Sequence, residues 1–217
     1  MTRTNIEFTQ WIQIRKEYTR DQLAIGDVND EPLDQLKSWL SDAVKNGVEE
    51  PNAMVLGTVD PSGQPDTRVV LLKGLDHGLI FFTNYQSKKG GDLEHTPKAC
   101  VNFFWPGLER QVRVAGITEK IDRIHSCEYF DSRPKGSQIS ASLSPQSQII
   151  ESKEWLIAEH HKAQSRQEKI SCPDTWGGYR LKPHLFEFWQ GCRNRLHDRI
   201  CFQAKDDGTW HIFRKAP

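Results

Sequence analysis

A-M-V-L-G-T-V-D-P-S-G-Q-P-D-T-R-V-V-L-L-K, residues 53–73, is the stretch on which the fold turns. Ala53 to Val59 and Thr67 to Lys73 are short runs rich in Val and Leu, and they read as strands. Asp60-Pro61-Ser62-Gly63 between them carries turn residues. Working outward, Gly78 to Thr83 is a third strand after a short turn at 74–78. Lys98 to Trp105 and Glu109 to Ile121 are two more, about Pro106-Gly107. Strands at this spacing with short turns indicate an antiparallel sheet or barrel.

Helices flank this core. Asp30-Glu31-Pro32 opens one, with Asp30 as its cap and Pro32 in its first turn. Leu33, Leu36, Trp39, Leu40, Ala43 and Val44 keep helical spacing, and Asn46-Gly47 ends it. Ser87-Lys88-Lys89-Gly90-Gly91 leads into a short helix that stops by Thr96-Pro97. Further helices are expected over 122–130 and 151–164, and the tail from Gly177 to Arg214 returns to strands. His160-His161 in the second of these reads as surface. The fold class is mainly β (α+β): an antiparallel barrel with flanking helices, over residues 31–217. The strands from about 176 belong to the same body. Residues 1–30 lack a sustained apolar period and read as a mobile arm, with a short helix around Trp11 to Tyr18.

Composition narrows the function. With 29 basic and 29 acidic residues in a chain of 217, nothing overall calls for nucleic acid or an anionic membrane. The opening M-T-R-T-N-I-E-F-T-Q lacks the apolar core of a signal peptide, and no apolar run reaches membrane-spanning length. Five scattered cysteines without a C-x-x-C pair suggest reduced thiols and a cytoplasmic home. Seven tryptophans and ten phenylalanines are many for so polar a chain and serve core, ring stacking or a subunit interface. G-x-G-x-x-G, the P-loop and G-x-S-x-G are missing, and neither H-E-x-x-H nor paired C-x-x-C points to a metal. An oxidoreductase built from these side chains needs a cofactor.

Cationic clusters between apolar runs are the candidate chemistry. Phe188 to Arg199 reads F-W-Q-G-C-R-N-R-L-H-D-R. A strand from Arg195 to Phe202 places Arg195, His197 and Arg199 on one face, an anion site with a group that titrates near neutrality. A helix, pairing Arg195 with Arg199, fits the alternation of the flanking aromatics less well. A solvated strand edge with a surface Arg–Asp pair is the plain alternative. Arg68 and Lys73 bound an apolar strand, and strict alternation sends them to opposite faces. Lys88 and Lys89 stand near a helix start, which itself favours an anion. Gln111 and Arg113 share a strand face. Arg133, Lys135 and Ser137 fall in a loop past a helix that carries Tyr129. Several such clusters together suggest more than one phosphate.

With these clusters assembled, the chain from about Arg15 to Pro217 resembles the pyridoxine/pyridoxamine 5′-phosphate oxidase family. The resemblance rests on R-V-V-L-L-K, F-F-T-N, L-E-R-Q-V, Y-F-x-S-R-P-x-x-S-Q-I, Gln146-Ser147, W-G-G-Y and E-F-W-Q-G…N-R-L-H-D-R. It implies an FMN-binding split barrel that works as a homodimer with two flavin sites at the interface. The implied reaction oxidises pyridoxamine 5′-phosphate or pyridoxine 5′-phosphate to pyridoxal 5′-phosphate, with O2 as acceptor and H2O2 as product. Implied flavin contacts are Arg68, Val69, Val70, Leu71, Leu72, Lys73, Phe82, Thr83, Lys88, Lys89, Gln111, Gln146, Ser147, Trp189 and Arg199. Lys73, Tyr129, Arg133 and Ser137 would hold the substrate phosphate. Arg195 and His197 would lie against the pyridine ring and its reacting carbon as the catalytic pair. Arg15 and Tyr18 would belong to a lid over the substrate. Either the strand over 67–73 bends or, as the resemblance favours, Arg68 and Lys73 serve different phosphates across a subunit boundary. Lys88 stands where the family often has Arg, and Phe82 where Tyr is frequent. Two other readings stay open: a split-barrel flavin oxidase acting on another ring, as in phenazine biosynthesis, and a flavin or pyridoxal 5′-phosphate carrier without turnover.

Overall fold

The computed structural model describes residues 14, 16–20, 22–165 and 169–217. Within these residues nine strands make one antiparallel sheet: β1 Ala53–Val59, β2 Pro65–Leu71, β3 Gly74–Leu75, β4 Leu79–Asn84, β5 Lys98–Trp105, β6 Arg110–Lys120, β7 Trp176–Gln190, β8 Asp198–Ala204 and β9 Trp210–Arg214. Their order is β2-β1-β5-β6-β7-β4-β3, with β8 also on β7 and β9 on β8. Among the described residues five α-helices flank it: α1 Pro32–Lys45, α2 Lys88–His95, α3 Arg123–Ser132, α4 Lys135–Leu143 and α5 Lys153–Ser165.

β7 explains the shape. Its first half, Trp176 to Leu181, pairs with β4, and its second half, Leu185 to Gln190, pairs with β8 on the same edge. Between the halves sits Pro183, which has no N–H to give to a ladder. On the other edge the register with β6 slips between Ala115 and Gly116, leaving His184 as the extra residue. A bulge there bends the strand. The sheet curls and splits at this point into a half-barrel: the strand spacing indicates an antiparallel sheet or barrel, and the family resemblance implies the split.

The core follows strand alternation. On β5, Ala99, Val101, Phe103 and Trp105 are buried, while Lys98, Cys100 and Phe104 face out. α1 closes the barrel with Leu36 and Trp39, the Trp39 ring standing edge-on to Phe188 at 5.2 Å. Truncating a buried residue of this kind to Ala costs about 2–5 kcal/mol.

Several local expectations are corrected. The N-cap position of α1 is Glu31, not Asp30, and its side chain makes no cap hydrogen bond; the buried Gln35 side chain accepts the Asn29 backbone N–H at 2.8 Å. Asn46 and Gly47, at φ +68°, end it as expected. β2 stops at Leu71, because the Leu72 N–H bonds Asn52 O while the Lys73 N–H bonds Ile80 O. The chain thus passes from β1 to β4 within two residues, and strict alternation does not reach Lys73. Lys135 and Ser137 lie in the first turn of α4, not in a loop. The strand expected from Arg195 begins only at Asp198. Before it, Arg193–Arg195 form a 3-10 turn in which Asn194 and Arg195 have φ of +55° and +61°. The Cys192 N–H closes that turn by donating to His197 Nδ1 at 3.1 Å. His160 is half-buried against Gly136 O. Of the helix expected over Trp11 to Tyr18, residues 11–13 and 15 lie outside the described residues, and 14 and 16–18 are not helical.

Candidate active site

A cavity of about 930 Å³ opens between the end of β2, β4, the start of α2, and the α3–α4 pair. Arg68, Val69, Val70, Leu71 and Lys73 line it from β2 and the link beyond, and Phe82 and Thr83 from β4. Lys88 and Lys89, Tyr129, Arg133, Ser137, Gln146 and Ser147 complete the residues singled out from sequence. Arg68 and Lys73 therefore border one cavity of a single chain. Leu72 is not on the wall; it turns into the core and is 7% exposed.

One end of the cavity is cationic. Lys89 is buried at 8% exposure, and its Nζ donates to Thr83 Oγ1, Ser87 Oγ and Gln146 Oε1 at 3.1–3.3 Å. These partners are all neutral. Burial, then the nearby Arg68 charge, pulls the Lys89 pKa below its ordinary value. Arg68 is held by Thr58 Oγ1 at 2.7 Å and Asp66 at 2.7 Å. Lys88 bridges Asp66 and Asp92, each at 3.3 Å. Ser87 caps α2, and Gly90 lets the helix pack on the segment that leads into it, since a Cβ there would lie 2.1 Å from Tyr85 O. The helix N-terminus adds its own partial positive charge. An ester phosphate fits this donor set.

The other end is aromatic with a second cation. Phe82 stacks on Tyr129 at 4.0 Å and on Trp176 at 5.3 Å. The Arg133 guanidinium lies 5.0 Å above the Trp176 ring. Arg133 Nη1 is buried without a hydrogen-bond partner. Burial lowers the Arg133 pKa, opposed by Tyr129. Even so, a guanidinium stays charged at neutral pH. An unpaired buried donor of this kind is costly unless a ligand completes it.

The remaining predicted residues stand elsewhere on the chain. Gln111, Trp189 and Arg199 form one cross-strand row over β6, β7 and β8. Phe104, 51% exposed, extends that row on β5. Arg199 is fixed by the buried Glu187, with Nη2 at 2.8 Å. The His197 ring is 4.7 Å from Trp189, and Tyr18 stands edge-on to both at 5.5 Å. Arg195 lines a smaller cleft with Tyr18 and Cys192. None of these residues borders the large cavity. Arg15 lies outside the described residues. Arg195, His197 and Arg199 do not share a strand face, because the 3-10 turn intervenes.

His197 has a defined protonation pattern. Its pKa is lowered by burial and then by Arg195, which favours the neutral ring. Nδ1 accepts from the Cys192 N–H, so the ring proton sits on Nε2.

Comparison with known proteins now decides the family. Residues 40–167 match the pyridoxamine 5′-phosphate oxidase family model. Residues 176–217 match the pyridoxine 5′-phosphate oxidase C-terminal dimerisation region. The chain belongs to the pyridoxamine 5′-phosphate oxidase family. A pyridoxine/pyridoxamine 5′-phosphate oxidase of Leptospira interrogans is 47% identical over 94% of this chain and 97% of its own length. One from Ralstonia pickettii is 48% identical over 96% of this chain and 100% of its own. Among solved structures, PhzG from Burkholderia lata, in complex with tetrahydrophenazine-1-carboxylic acid, superposes with a TM-score of 0.87 at 29% identity, over 92% of this chain and 100% of that one. A pyridoxamine 5′-phosphate oxidase-related protein from Nostoc punctiforme, at TM-score 0.72 and 15% identity over 88% of this chain and 100% of its own, shares the split-barrel fold. FMN is the cofactor that membership of this oxidase family implies, and the cationic end of the cavity, with Lys89 unmatched by a carboxylate, fits its phosphate.

Sequence reasoning passed over Trp176, which forms the wall under Arg133. W-G-G-Y was its signal. It also passed over Thr58, Asp66 and Asp92, which hold the cations in place. Among the described residues no cluster suited to a metal ion occurs, and no helix is long and apolar enough to cross a membrane.

Proposed function

We propose that this protein oxidises pyridoxamine 5′-phosphate and pyridoxine 5′-phosphate to pyridoxal 5′-phosphate, with FMN as cofactor and O2 as electron acceptor. The observation that carries this reading is the pair of separate cationic anchors in one cavity. Arg68 and Lys89 suit the cofactor phosphate at one end. Arg133, with its orphaned Nη1, suits a substrate phosphate at the other. Lys73, Tyr129 and Ser137 line the same space. When bound, FMN supplies a two-electron oxidation of the substrate carbon and passes the electrons to O2, giving H2O2. For the amine, water is consumed and ammonia released; for the alcohol, the aldehyde forms directly.

The chain's own residues position and exclude. Anchoring a ring face to face with a cofactor removes much of the orientational cost, about 7–11 kcal/mol in favourable cases. We assign Arg195 and His197 to the substrate carbon that reacts. Arg195 stays protonated and acts as a donor. His197 offers the Nε2 proton, and so orients the amine or hydroxyl as a donor too. The row Gln111, Trp189 and Arg199, with the Arg195–His197 turn, completes the cavity of a second copy. The match to a dimerisation region and the exposure of Phe104 beside the row support a homodimer with shared sites. We assign residues 31–217 to the catalytic barrel and the stretch before them to an arm or substrate lid, of which Tyr18 is the described part that faces His197. Five free thiols support a cytoplasmic setting.

A second reading, oxidation of a phenazine-type ring, draws on the likeness to PhzG. An anion site alone does not separate the two, because a phenazine-type carboxylic acid is also an anion; dependence of the rate on the substrate phosphate does. Steady-state oxidation of pyridoxamine 5′-phosphate should exceed that of unphosphorylated pyridoxamine by two orders of magnitude or so in kcat/KM, from hydrogen bonds to a charged group. Equal rates on both would refute the phosphate assignment.

A further inference from the structure

Glu109, in the turn between β5 and β6, has no part in the site as described, yet its side chain reaches the arm. It is 4% exposed and sits at φ +56°, a left-handed conformation uncommon for a Glu. Its carboxylate faces the arm. Oε2 accepts the backbone N–H groups of Thr19 at 2.9 Å and Arg20 at 3.0 Å. Oε1 pairs with Lys16 Nζ at 3.2 Å. Its backbone oxygen accepts the Gly191 N–H at 2.7 Å. One residue thus joins the β5–β6 turn, the end of β7 and the arm. Burial alone would raise its pKa, but the Arg20 N–H, Lys16 and the Thr19 N–H outweigh it and hold the acid ionised below the usual range.

What the clasp holds is Tyr18. Its ring covers Gly191, where a Cβ would lie 2.7 Å from the ring. The same ring stands edge-on to Trp189 and His197. No side chain but hydrogen fits at 191 with Tyr18 in this place.

We propose that Glu109 is a positioning residue: its carboxylate clasps the arm through the Thr19 and Arg20 amides and thereby seats Tyr18 against Trp189 and His197 at the substrate side of the site. The proposal rests on the oxidase reading, because that reading makes His197 a substrate contact. Glu109 touches no reacting atom and acts through Tyr18.

The test combines cleavage and kinetics on the FMN-loaded full-length protein. Trypsin should cut after Lys16 and Arg20 faster when the arm is released, because a protease needs several residues of extended, unpaired backbone and the Thr19 and Arg20 amides are paired in the clasp. Glu109→Ala should speed that cleavage at least about tenfold, the worth of charge-assisted hydrogen bonds. Glu109→Gln, which keeps one acceptor oxygen, should fall between and serves if the alanine variant does not fold. For pyridoxamine 5′-phosphate, Glu109→Ala should raise KM about as much as Tyr18→Ala, with a smaller effect on kcat and none on FMN affinity. In the double variant the two effects should not add. Unchanged cleavage, or additive effects on KM, would overturn the proposal. If the wild-type protein oxidised no phosphorylated pyridoxamine, the oxidase reading would fall, while the cleavage rates would still decide whether Glu109 holds the arm.

Discussion

The Arg133 guanidinium lies over Trp176, 5.0 Å from its ring, with Nη1 buried and unpaired. A cation held by an aromatic face and left one donor short is set up for an anion. Arg133→Leu should raise KM for pyridoxamine 5′-phosphate by roughly 10–100-fold and leave FMN affinity within about twofold. Arg133→Lys should rescue little, since an ammonium lacks the planar fork. Steady-state kinetics beside a flavin titration check both. A change in FMN affinity as large as that in KM would place Arg133 on the wrong phosphate.

Lys89 makes the opposite prediction. It is buried with three neutral partners. Lys89→Met should weaken FMN binding by about tenfold or more, yet leave the apo protein as stable or more so, because an uncompensated buried charge is costly. Quenching of flavin fluorescence gives the affinity, and thermal melting of the apo form gives the stability. A large loss of apo stability would mean that Lys89 is a structural residue.

His197 should titrate below its unperturbed value of ~6.5, through burial and Arg195. Between the folded and unfolded values the unfolded chain binds more protons, so stability rises with pH across that window. The contribution is complete above ~6.5 and is lost as pH falls towards the folded pKa. Imidazole NMR of the wild type, beside Arg195→Leu, reads the shift directly. Removing Arg195 should move the His197 pKa up. A wild-type value above 6.5 would contradict the neutral-donor role.

The division of the site between two copies is open to complementation. Arg133→Leu spoils the cavity, and Arg195→Leu spoils the row and turn. If each site takes its cavity from one chain and its turn from the other, a mixed dimer has one intact site and one doubly damaged. At substrate well below the KM of Arg133→Leu, where both variants are slow, random mixing of the two should then recover about a quarter of wild-type turnover. Recovery no greater than the sum of the parents would assign the whole site to one chain.

How much of this was legible in the sequence varies by residue. β5 was read to its ends, because Ala99, Val101, Phe103 and Trp105 alternate cleanly with exposed neighbours. The turn before β8 was read as strand, because its left-handed residues are Asn194 and Arg195 and no glycine marks them. Lys135 and Ser137 were read as loop, because Pro134 breaks α3 but also starts α4 one residue later. Arg68 and Lys73 were sent to opposite faces by a strand rule that ceases to apply at Leu71. The cavity residues were named from motifs, with Leu72 the one that turns inward instead. Spacing carries no information about which copy a side chain serves.

The most direct measurement is to mix the FMN-loaded protein with pyridoxamine 5′-phosphate in the absence of oxygen and follow the visible flavin band. The account predicts rapid bleaching, one equivalent of pyridoxal 5′-phosphate per flavin, and return of the band when oxygen is admitted. A flavin band that shifts on binding but does not bleach would contradict it and leave a carrier in place of an oxidase.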